Sequence, residues 1–165
     1  MKKLFLLGIF LLVSLGCTTV QSYTKPNVDF STFKKIALVK LGSQDASLSQ
    51  IVTDALVLGF RKKRFNIIEK EQLKVLIDDN LIIQSGLKES DRNTLSLSGI
   101  DAVIVGVVIK RDSRGDPLTL SLKMFDIKSG EIVWTGRIEL DFDELDFAVR
   151  KLANSIPIQS RTERE

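Results

Sequence analysis

Histidine is absent from all 165 residues, and cysteine occurs once, as Cys17. The first absence removes the commonest general base and the commonest transition-metal ligand. The second excludes a disulfide framework, so any folded domain must be held by its core. No phosphate-binding glycine loop is present. Gly99 and Gly106 lie around an apolar strand pattern and do not open a helix. No internal repeat or low-complexity stretch is visible. Excess charge is scarce as well. The chain carries +3 at pH 7, and its pI of ≈ 9.0 is no argument for a nucleic-acid partner. Lys2 and Lys3 sit in a removable leader. Without them, 22 of the 24 basic residues face 21 acidic ones.

What the chain has begins at its N-terminus. Met1-Lys2-Lys3 is followed by an apolar run from Leu4 to Leu15, then Gly16 and Cys17. This is the layout of an export signal, and the run falls short of the roughly 20 residues of a spanning helix. Val13-Ser14-Leu15-Gly16-Cys17 has the form of a lipobox, with Ser and Leu exchanged relative to the usual order. The expectation is a signal peptide over 1–16 and a lipidated Cys17, with a diacylglyceryl and an N-acyl chain. No other cofactor is expected. Thr18 in place of Asp after the cysteine fits outer-membrane sorting, so the expected location is the periplasmic face of the outer membrane.

Residues 17–33, polar and Pro-containing, read as a flexible tether with a reach on the order of 50 Å. Phe30 and Phe33 are expected to pin its end. Residues 34–157 read as one globular domain, large enough for a real core, and 158–165 as a polar tail. Lys35 to Leu41 predicts a strand. Ser47 opens a helix with Leu48, Ile51, Val52, Ala55 and Leu56 at helical spacing, ending in Arg61-Lys62-Lys63-Arg64. Phe65 to Glu69 predicts a strand, Glu71 to about Leu81 a helix, and Ser90 caps a short helix closed by Gly99. Asp101 to Lys110 is apolar on both faces. Leu118 to Ile127 and Glu131 to Asp141 alternate around the turn Lys128-Ser129-Gly130, with Ile132, Trp134, Ile138 and Leu140 on one face. Asp143 is expected to cap a last helix that Pro157 ends. The order β-α-β-α-α-β-β-β-α predicts an α/β (α+β) domain: one mixed sheet, a C-terminal antiparallel meander, and helices packed on it.

Four ordered stretches carry a resemblance. KKIALVKL, RFNIIEKEQLKVLIDDN, LSGIDAVIVGVVIKRD and SLKMFDIKSGEIVWTGRIEL are similar, in this order and behind a lipoprotein signal, to the CsgG-like superfamily of outer-membrane lipoproteins. Lys70 stands where the family often has Arg. The family includes a pore-forming curli secretion component. It also includes core-only members such as the penicillin-binding protein activator LpoB and the flagellar lipoprotein FlgO. This chain resembles the core-only group, because its loops offer no spare hairpins for a barrel. The resemblance implies a non-enzymatic binding or assembly factor that docks on an envelope partner in secretion, flagellar or cell-wall machinery. The alternative is a self-assembling ring or pore accessory of curli-type export, hence a homo-oligomer.

The candidate contact residues are few. Arg61, Lys62, Lys63 and Arg64 either offset their helix dipole or meet anionic lipid or a partner. Trp134 is expected in the core; exposed, it would be a binding anchor. Glu139, Asp141, Asp143, Glu144 and Asp146 form the densest acidic group, which reads as a strand end and helix start rather than a calcium site. Hydrolysis by paired carboxylates at Asp141 and Asp143 is a third class of function. Asp78-Asp79 reads as a solvated helix face.

Overall fold

The computed structural model describes residues 19–39, 41–69, 87–110 and 117–157. Its strands are β1 (Val20–Thr24), β2 (Ile36–Leu38), β3 (Ile67–Glu69), β4 (Ala102–Lys110), β5 (Leu118–Asp126) and β6 (Ile132–Leu140). They form one sheet in the order β1-β6-β5-β4-β2-β3. β2 runs parallel to β3 and β4, and the β4-β5-β6-β1 half is antiparallel. Helices α1 (Ala46–Lys62), α2 (Glu89–Leu97) and α3 (Leu145–Ser155) complete the described fold. The mixed sheet with its terminal meander is the architecture that the alternation patterns predict. The helix expected over Glu71 to Leu81, with Asp78-Asp79, lies outside the described residues.

Strand alternation divides the core. Ile36, Leu38, Ile104, Leu120, Leu122, Met124 and Trp134 meet α1 and α3 on one face. Val103, Val105, Phe125 and Ile127 meet Leu95 of α2 on the other. Asp45 starts α1 by accepting the Ser47 and Leu48 amides at 2.9 and 3.1 Å, which satisfies two donors the helix cannot.

The reading of residues 17–33 as a flexible tether needs correction. Val20 to Thr24 is an edge strand paired antiparallel with β6, from Val20 beside Ile138 to Thr24 beside Trp134. Asp29 then caps a single 3-10 turn, Phe30–Thr32. Phe30 is buried and stacks edge-on against Phe33 at 5.6 Å, so these two rings do pin the segment. The domain therefore includes residues well before position 34. Asp29 adds a pH signature. The Ser31 hydroxyl and then the Ser31 amide hold its carboxyl below the ordinary 3.8. Its stabilising contribution is present above that value and is lost as pH falls through the lower, folded-state value. Asp29→Asn is expected to delete this acid-side component from a plot of melting temperature against pH.

Three smaller expectations change. A β-bulge follows Met124, so Met124 faces Trp134 while Phe125 faces Ile132. Val133 takes the buried place and Ile132 turns outward. Asp143 does not cap the last helix. It lies inside a 3-10 turn, Phe142–Glu144, whose N-cap position is Asp141, and α3 starts only at Leu145. Ser90 is not a cap either. Lys88 enters α2 in extended conformation, and Glu89 and Asp91 in the first turn complement the dipole instead.

Candidate functional site

The strand directions give the domain two unlike ends. β1 starts, β4 ends, β5 starts and β6 ends on one side, because Val20 pairs with Ile138, Lys110 with Leu118, and Leu118 with Leu140. α1 and α3 also begin there. Two residues, Thr18 and Thr19, separate Cys17 from β1 in the sequence, and the chain enters the sheet at this end. Cys17 itself lies outside the described residues. The acidic group sits at the same end. Glu139 is held by Arg137 at 3.1 Å, and Asp141, Asp143, Glu144 and Asp146 are exposed. Among the described residues no group of three or more His, Cys, Asp or Glu side chains is placed to hold a metal ion. A depression of ≈ 590 Å³ also lies at this end, between the loop Gly42–Asp45 and the last four residues of β4.

The opposite end is where α1 finishes. A 17-residue helix spans about 25 Å at 1.5 Å per residue, which separates Arg61–Arg64 from the acidic end. The turn closing α1 is a Schellman motif. The Phe65 amide donates to the Phe60 carbonyl at 3.2 Å and the Arg64 amide to the Arg61 carbonyl at 2.9 Å. The Phe60 and Phe65 rings meet edge-on at 5.9 Å and seal it. Arg64 occupies the left-handed position, φ 66°, where glycine is the usual resident. Arg61 folds back onto the Ile67 carbonyl and the Glu69 carboxylate, at 3.2 and 3.0 Å. All four basic residues are exposed.

Trp134, carried as a possible contact residue, is fully buried. Its ring lies over Gly136, where an added Cβ would come within 2.5 Å of Cζ2. Its Nε1 has no hydrogen-bond partner in the described structure. It is a core residue, as its place in the alternation predicts. The acidic group and the basic run, unremarkable as separate charge runs, mark opposite ends of one body. No local sequence signal gives that polarity; it follows from strand order.

No functionally curated protein sequence matches the chain. Solved structures do. The fold is similar to the PelC dodecamer subunit from Paraburkholderia phytofirmans, with TM-score 0.56 and 12% identity over 81% of this chain and 94% of that one. It is also similar to TolB from Acinetobacter baumannii, with TM-score 0.52 and 17% identity over 82% of this chain and 29% of that one. At these identities the likeness is one of fold. Sequence carries the assignment further: residues 12–114, well over half of the chain, match the family described as curli production assembly/transport component CsgG, and the chain belongs to that family.

Proposed function

We propose that this chain is an outer-membrane lipoprotein that acts by docking its folded domain on an envelope partner, without catalysis. The observation that carries the reading is the start of β1 at Val20, three residues after Cys17. A lipid on Cys17 holds the sheet edge within about 10 Å of the membrane, at 3.3–3.6 Å per residue. Two or three acyl chains make such anchoring stable where one does not. Confinement raises the local concentration at a partner in the same membrane layer. Membership in a family of assembly and transport components supports recognition as the mode of action.

Cys17→Ala is expected to abolish palmitate labelling and to move the protein from the membrane fraction to the soluble fraction. Labelling that survives the substitution refutes the anchor. A second reading has its own support. The PelC structure of the same fold is a dodecamer, which favours a self-assembling ring. The mass of the detergent-solubilised lipoprotein separates the two: a stable multiple supports the ring, and a monomer at high concentration removes it.

A further inference from the structure

The outward face of α1 joins exposed apolar and basic residues. Ile51 and Leu58, 47% and 52% exposed, lie seven residues apart on one helical face, with the half-buried Ala55 and the exposed Asp54 between them. Lys62 continues the stripe one turn beyond Leu58, and Lys63 and Arg64 extend it around the closing turn. We infer that this stripe is a docking site for an acidic, amphipathic segment of a partner protein, presented away from the anchoring membrane. The orientation rests on the proposed lipidation of Cys17.

Two physical points select this occupant. The lipid headgroups around Cys17 cannot be it. The basic run stands about 25 Å along α1 from the anchored end, about three Debye lengths at physiological salt. A purely polyanionic partner would leave Ile51 and Leu58 unused, whereas a segment carrying both acids and apolar side chains engages both parts of the stripe. The exposed carboxylate on this face, Asp54, accepts from the Gln50 amide at 2.8 Å and lies two turns before Lys62, and Glu69 accepts from the Arg61 guanidinium at 3.0 Å. Lys62, Lys63 and Arg64 remain exposed. Arg64 adds an independent sign. A side chain in the left-handed region is disfavoured relative to glycine, so stability alone favours glycine, and the guanidinium there points to use.

The test is photo-crosslinking of the full lipoprotein in its native membrane, with the reactive side chain at position 58 or 63, and at Lys123 as control. Adducts at 58 and 63 that map to an acidic, apolar segment of another protein, with none at 123, support the proposal. Lys62→Glu with Lys63→Glu is expected to cut the adduct at 58 at least tenfold while the domain stays folded, with only the small fall in melting temperature that acids at a helix C-terminus bring. Arg64→Gly is expected to raise the melting temperature while still lowering the adduct at 58. Mapping to lipid, nucleic acid or a second copy of this chain overturns the proposal. So do equal yields at 123, indifference to the charge reversal, or no adduct. Palmitate labelling of the same cells keeps the two readings apart: adducts persisting without a lipid on Cys17 refute the anchor and leave the docking site standing.

Discussion

Trp134→Ala is expected to lower the unfolding free energy by about 4 kcal/mol, within the 3–5 kcal/mol range for emptying a buried aromatic site. Domains of this size hold about 5–15 kcal/mol in total, so the loss is a large share of the whole. Three observations make the cost large. The ring is fully buried, it packs directly over Gly136, and Leu152 of α3 reaches the same space above that glycine. A Cβ at position 136 would fall 2.5 Å from the indole and 2.8 Å from Leu152 Cδ2. β6 lies between β5 and β1, so a collapse there propagates into both neighbours. Trp134→Phe separates packing from polarity. It keeps much of the ring and removes an N–H that has no partner in the described structure. A buried unpaired donor costs about 1–3 kcal/mol, so the phenylalanine variant is expected to lose less than half as much. Urea unfolding monitored by circular dichroism measures both. Equal losses for Ala and Phe refute the assignment of the site to packing.

The core was legible in the sequence because its strands are long and regular. Ala102 to Lys110 is buried on both faces over most of its length, as its continuous apolar run predicts, Leu118 to Asp126 buries the residues its alternation selects, and Trp134 falls on the inner face by the alternation of its own strand. β1 was not legible. Val20-Gln21-Ser22-Tyr23-Thr24 contributes one face of an edge strand, and only its two end residues are even half-buried. A segment with one apolar inward residue carries no alternation to detect; it is held by the backbone ladder of β6. The bulge at Val133 was hidden too, since inserting one residue inverts the faces that simple alternation assigns. The candidate site divides in the same way. The basic run is plain in the sequence, but its place at the end opposite the start of β1 depends on strand directions that no local pattern encodes. Under the proposed lipidation of Cys17, a long tether would leave either end able to meet the membrane, whereas pairing of β1 with β6 leaves one end nearer and turns two charge runs into a polarity.

Gly59→Leu is expected to cost at least about 3 kcal/mol, at or above the upper end of overpacking penalties, because it drives α1 and α3 apart. A Cβ at position 59 would lie 2.2 Å from Val149 Cγ1. Valine within a helix has essentially one χ1 state, so the methyl cannot swing aside, and the helices must separate or tilt. Glycine at a helix interior itself costs about 1 kcal/mol relative to alanine, so its presence in α1 reflects the close approach rather than propensity. A double-mutant cycle isolates that contact. Gly59→Ala and Val149→Ala are each expected to destabilise, the first by crowding and the second by leaving a gap. Together they should fall short of the sum by about 1 kcal/mol or more, within the range for residues in direct contact. Additive losses refute the contact as the reason for glycine. The displacement has a second readout. α1 carries Leu58 and Lys62 on its outer side while Gly59 and Phe60 face inward. Gly59→Leu therefore moves the docking stripe without changing any residue on it. Crosslinking through position 58 is expected to fall in that variant and to recover in part when Val149→Ala restores the helix spacing.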